Sequence, residues 1–100
     1  MVLHGIHLDA ARIALLCRRA GVRRAFVFGS ILSDRFADRS DIDLLIEIDP
    51  HNPPGLLTLG GLQADLSDLL GRPVHLTLLG GVPPEERPAL LAKARSLDAA

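Results

Sequence analysis

Two short runs decide how this chain folds: Phe28-Gly29-Ser30 and, ten residues further on, Asp41-Ile42-Asp43-Leu44-Leu45-Ile46-Glu47. Arg24 to Phe28 is rich in branched and aromatic residues and stops at Gly29, which reads as a strand ending in a tight turn. Ser40 to Ile48 is largely apolar past Asp43 and reads as a second strand. Side chains two apart on a strand share a face, so Asp41 and Asp43 project together. At roughly 6 Å and an effective dielectric near 20 their repulsion is about 2 to 3 kcal/mol, which calls for a counter-charge. Mg²⁺ suits the pair, because it takes one or two carboxylates and leaves its other positions to phosphate and water. Gly29 leaves room for a phosphate, and Ser30 with its backbone N–H groups offers donors. A helix over residues 31–39 would add its positive end.

Outward from these runs, Asp9 is placed to cap a helix over residues 9–20, with Ile13, Leu16, Cys17 and Ala20 at helical spacing and Gly21 to end it. Asp49 to Gly55, with its prolines, breaks the second strand. Leu56, Leu59, Leu62, Leu66, Leu69 and Leu70 then mark an amphipathic helix ahead of Gly71, with Gly60 and Gly61 expected to weaken or delay its start. Val74 to Leu79 is a third strand, and a last helix runs from Glu85 to Leu97 with Pro88 in its first turn. The expected order is αβαβαβα, an α+β fold with a small mixed sheet packed by helices.

Composition removes several classes of function. One hundred residues predict a single domain over 1–100. Apolar residues make up 48% of the chain and charged ones 23%, the profile of a folded globular protein. With 11 basic and 12 acidic residues the net charge is −1, too little positive field for nonspecific nucleic-acid binding. Phe26, Phe28 and Phe36 are the only aromatic residues, so base-stacking platforms are largely missing and the core is aliphatic. Lys93 is the only lysine and does not sit in a phosphate-binding Gly-Lys-Ser/Thr loop. The single Cys17, on an apolar helix stripe, reads as a small buried hydrophobe. No window is apolar enough to span a membrane, and no leader is recognisable, which predicts a cytoplasmic protein. His4 and His7 read as solvent-facing, since no third ligand stands near them, and His51 as incidental in a Pro-rich loop.

Phe28-Gly29-Ser30 and Ser40-Asp41-Ile42-Asp43-Leu44-Leu45-Ile46-Glu47, in this order and spacing, resemble the minimal nucleotidyltransferase (MNT) domains of the DNA polymerase beta superfamily. The resemblance extends over nearly the whole chain. It implies transfer of a nucleoside monophosphate from a nucleoside triphosphate, ATP being the expected donor, to a hydroxyl with the help of Mg²⁺. Gly29 and Ser30 would hold the triphosphate, and Asp41 and Asp43 would bind the metal. Members of this size act beside a helical HEPN protein, as the antitoxin half of a pair that adds AMP to its partner. Two departures stand out. Family members carry a third carboxylate after a Val on the third strand, where this chain has Val74-His75-Leu76-Thr77. His75 would then serve as a substitute ligand or base, and an imidazole there favours Mn²⁺ over Mg²⁺. After Ser30 the family often continues with a small residue, Arg and Gly, whereas this chain has Ile31-Leu32-Ser33-Asp34-Arg35. Arg35 and Arg39 read as solvated charges rather than phosphate ligands. The alternative reading is a catalytically degenerate subunit that binds and restrains a protein partner without transfer.

Overall fold

The computed structural model describes residues 1–97. The helix expected after Asp9 is α1, Ala10–Arg19, and the Asp9 carboxylate accepts the Arg12 backbone N–H at 3.1 Å as its N-cap. α2, Leu56–Leu70, runs unbroken through Gly60 and Gly61, so neither glycine delays its start, and it ends at Gly71 in the left-handed conformation. The three expected strands are β3 (Val22–Phe28), β4 (Ile42–Ile48) and β5 (Val74–Leu78).

Three parts of the chain differ from the sequence reading. Residues 1–8, for which no element was expected, form a hairpin of β1 (Val2–Leu3) and β2 (Ile6–His7), turned by His4 and Gly5, both at positive φ. Two consecutive positive-φ residues are what a tight two-residue hairpin turn requires. The helix expected over residues 31–39 is absent: a single 3-10 turn, Gly29–Leu32, is followed by a bend at Ser33 and two turns. Too few apolar residues recur at helical spacing there to secure a longer helix. The last helix is shorter than expected. A 3-10 turn at Pro84–Glu86 leads into α3, Arg87–Lys93, after which β6, Arg95–Ser96, pairs with β3.

The main sheet has the order β5-β4-β3-β6, with β4 and β5 parallel and the other neighbours antiparallel. One face carries Ala25, Val27, Ile42, Leu44, Ile46 and Val74, buried beneath α1 and α2 together with Ile13, Cys17, Leu62 and Leu66. The hairpin adds Leu3 and Ile6 to this cluster. Alternation puts Phe26 and Leu45 on the other face, where they meet Leu79, Leu90 and Leu91 beneath α3. This second cluster covers only the middle of its face. Arg24 and Glu47 lie at one end of it, and Phe28, Asp43 and His75 at the other. On β5, the Val74 N–H donates to Ser67 Oγ at 3.0 Å and the Leu76 N–H to Gln63 Oε1 at 3.3 Å, so α2 side chains close part of the sheet edge. Among the described residues no helix is long and apolar enough to cross a membrane.

Candidate nucleotide and metal site

Register alone assembles the centre of the site. Phe28 pairs with Asp43, and Asp43 pairs with His75, so one row across three strands presents these side chains on the face α3 leaves open. Directly after Phe28 the chain turns at Gly29, with φ +80°, a conformation that L side chains rarely adopt. A Cβ at Gly29 would lie 2.5 Å from Asp43 Oδ2, so the space expected to admit a phosphate at this residue is taken up by the Asp43 carboxylate. Gly29 therefore serves Asp43 directly. Ser30 follows, half-buried, in the 3-10 turn, and its carbonyl accepts both the Ser33 N–H at 2.9 Å and the Ser33 hydroxyl at 3.0 Å. Because the turn is four residues long, the helix dipole expected at Ser30 is not available, and the turn's donors are what this segment offers an anion.

Asp41 lies just before β4 and is exposed, while Asp43 is half-buried. Burial raises the Asp43 carboxyl above its usual range; His75 lowers it by electrostatic attraction, and Asp41 raises it as a like charge. Asp41 and His75 thus both act on Asp43, and for Asp41 the alternation of side chains along the strand predicts it. Among the described residues no three His, Cys, Asp or Glu side chains stand together closely enough to hold a metal ion by themselves. The donor set offers two carboxylates and leaves the remaining coordination positions to another source.

The residue that sequence reasoning passed over is Arg72. Its Nη1 donates to the carbonyls of Ala37 (2.9 Å) and Ser40 (3.0 Å), and its guanidinium lies 4.6 Å from the centre of the Phe36 ring. The other side of this loop is bounded by His4, whose ring is stacked on Phe36 at 4.9 Å. Within the loop, Ser40 Oγ accepts the Ala37 N–H, and at its end the Ile42 N–H donates to the carbonyl of Pro73 at 2.9 Å. Arg72 thereby fastens the segment that delivers Asp41 to the one that delivers His75. Only its place between the helix-ending Gly71 and Pro73 could have drawn attention to it, and that signal is weak. The readings of His7 as exposed and of Cys17 as buried agree with the structure; His4 is exposed too, but its ring is engaged by Phe36.

Known proteins share this fold. A candidate protein adenylyltransferase of Methanocaldococcus jannaschii, MJ0435, is 30% identical over 83 residues, which is 83% of this chain and 87% of that protein. The solved structure of a candidate minimal nucleotidyltransferase superposes with a TM-score of 0.69 at 32% identity, covering 88% of this chain and 95% of the other. A more distant likeness, at 17% identity and a TM-score of 0.64, is to a chain in the complex of a tri-AMPylated Shewanella oneidensis HEPN toxin with an MNT antitoxin; it covers 92% of this chain and 71% of that one. Residues 13–97 match the nucleotidyltransferase domain, a span that holds Gly29, Ser30, Asp41, Asp43 and His75, and so the chain belongs to the nucleotidyltransferase domain family, among its minimal members.

Proposed function

We propose that this protein transfers AMP from ATP to a hydroxyl group on a protein partner, and that the partner is a HEPN-type toxin which it restrains as antitoxin. The observation that carries the reading is the placement of Asp43 on Gly29, beside Asp41 and His75, at the uncovered end of the sheet. A site with two mutually repelling carboxylates and, among the described residues, no Lys or Arg ion-paired to either is suited to a cation that arrives with its own phosphate ligands. A divalent ion held by Asp41 and Asp43, Mg²⁺ or Mn²⁺, would neutralise charge developing on the transferred phosphoryl group. Ser30 and the N–H groups of the Gly29–Leu32 turn would hold the phosphate chain, with Gly29 keeping Asp43 in place. His75 would stand where the acceptor hydroxyl gives up its proton. The bond formed joins the acceptor oxygen to the α-phosphorus, and pyrophosphate leaves. The likeness to a chain from a complex containing an AMPylated toxin, together with the adenylyltransferase relative, supports the choice of nucleotide and of partner.

A second reading has its own support. An imidazole occupies the strand position beside Asp43, and the described residues hold no three-ligand group, which suits a subunit that restrains its partner by binding alone. One experiment separates the two. The chain is incubated with its HEPN partner, ATP and either Mg²⁺ or Mn²⁺, and the partner's mass is measured. Addition of AMP by the wild type, lost in Asp41→Ala and Asp43→Ala, is the expected result. No adduct with either ion, while the complex still forms, establishes restraint without transfer.

A further inference from the structure

On the far side of the molecule from Asp43, α1 and α2 form the walls of a cleft. Its α1 wall carries Arg12, Leu15 and Arg19, and its α2 wall carries Asp65 and Asp68. The C-terminal end of α1, at Arg19 and Ala20, lies beside Thr58, Gly61 and Leu62 in the first half of α2, so the helices run antiparallel. Arg19 therefore lies toward the Asp65 end of the acidic wall, and Arg12 toward the Asp68 end. All four side chains are exposed, and none is ion-paired across the cleft; the salt bridges among the described residues are Arg23 with Asp49 and Arg24 with Glu47. Leu15, 47% exposed, stands between Arg12 and Arg19 along α1, and the partly buried Leu16 and Leu69 form the floor between the two walls.

A surface with a basic ridge on one helix, an acidic ridge on its antiparallel neighbour and an apolar strip between them is complementary to itself. We propose that this cleft is a dimer interface and that its occupant is a second copy of the chain, related by a twofold axis running along the cleft. Rotation about that axis lays α1 on α2 of the other copy, bringing Arg12 and Arg19 over its acidic ridge, Arg12 toward Asp68 and Arg19 toward Asp65, each contact made twice by symmetry. The other twofold axis in the plane, across the cleft, would put α1 on α1 and oppose arginine to arginine; charge excludes it. Leu15 is covered in the permitted arrangement, which removes an exposed leucine from water. The face is remote from Asp43, so both copies would keep the nucleotide end of the sheet open, and the inference stands whether or not the protein transfers AMP.

Sedimentation equilibrium of the whole chain tests it, with circular dichroism to verify folding. The wild type is expected to dimerise, more weakly as salt rises. The double reversals Arg12→Glu with Arg19→Glu, and Asp65→Arg with Asp68→Arg, are each expected to raise the dimer dissociation constant about 100-fold or more, because like charges then meet. Mixing the two variants should restore a dimer holding one of each, identified by native mass spectrometry. The single change Arg19→Glu, milder for the fold, should weaken the dimer by a smaller factor. A monomeric wild type, a dimer indifferent to the reversals, or folded variants that stay apart when mixed would each overturn the assignment. A wild type that is monomeric alone, but whose binding to a helical partner is weakened by the reversals, would assign the cleft to that partner and end the case for self-association.

Discussion

Asp43 and Glu47 stand on the same face of β4, at either end of the cluster around Phe26 and Leu45, and the fold treats the two carboxylates in opposite ways. Glu47 lies directly across from Arg24, which donates from Nε to Oε1 at 3.2 Å and from Nη2 to Oε2 at 2.7 Å, and this pairing holds the Glu47 carboxyl below its usual range. Asp43 lies across from Phe28 and Gly29, and burial pushes it up. One end neutralises its acid within the chain. The other end keeps its charge available, at a cost in stability, which is the pattern expected of a binding site.

The contrast is steepest in activity. If the Asp43 end binds the metal-bound triphosphate, Asp43→Ala or Asp41→Ala should lower AMP transfer roughly 100-fold or more, since several kcal/mol of phosphoryl charge stabilisation are lost. Glu47→Gln removes the same charge from the same face and should leave transfer within about twofold. Quantitative mass spectrometry of the modified partner compares the variants in one series. An equal loss in Glu47→Gln would mean that the overall field of the face matters, not the site.

Gly29 offers the next largest effect. An alanine there must adopt a φ that disfavours it, at about 1 to 3 kcal/mol, and must also displace the Asp43 carboxylate. Thermal unfolding should fall accordingly, and transfer should fall with it because Asp43 turns away. Gly60→Ala is the control from elsewhere in the chain: it lies inside α2 with open space around the added methyl, and should stabilise by about 0.5 to 1 kcal/mol. Equal destabilisation by both alanines would remove the special role of Gly29.

The two ends were not equally legible in the sequence. Wherever hydrophobic periodicity and a local stop signal agree, as for α1 between Asp9 and Gly21 and for α2 ahead of Gly71, the sequence reading and the structure coincide to within a residue or two. The shared face of Asp41 and Asp43 was legible because strand alternation needs only spacing, whereas His75 was singled out by family resemblance and stands beside Asp43 through the pairing of β4 with β5. Two of the hidden features share a cause. The path of the loop at Ala37 and Ser40 is held by Arg72, thirty-odd residues away in sequence, through hydrogen bonds to both carbonyls. Likewise, β6 forms only because β3 has an unpaired edge, a tertiary reason that leaves no mark on Arg95 or Ser96. Long-range partners decided both.

Stability against pH separates the ends by sign. Asp43 has a folded pKa raised above the unfolded value of 3.8, so the folded state binds the proton more readily. Its contribution to stability is fully present below the unfolded pKa and is lost as pH rises through the folded one. Asp43→Asn, which carries no charge, should therefore melt at a higher temperature than the wild type at neutral pH without divalent ions. The gain should be a few degrees at most, because solvent screens a half-buried group. Near pH 3 the difference should vanish. Mg²⁺ or Mn²⁺ should raise the melting temperature of the wild type but not of the variant.

Glu47→Gln should give the smallest effect and the opposite sign. The folded pKa of Glu47 lies below the unfolded value of 4.5, so its stabilisation is present above that value and is lost as pH falls through the folded pKa. Arg24 is 49% exposed and Glu47 29%, and screening reduces the pair to about 0.5 kcal/mol at neutral pH. The variant should melt slightly below the wild type at pH 7 and no lower than it in strong acid, with the gap narrowing as salt is added. Urea titrations across that range measure the difference. If Glu47→Gln and Asp43→Asn shifted stability in the same direction at neutral pH, pairing with Arg24 would not be what distinguishes the two ends of β4, and the account of Asp43 as an acid left uncompensated for a ligand would fail with it.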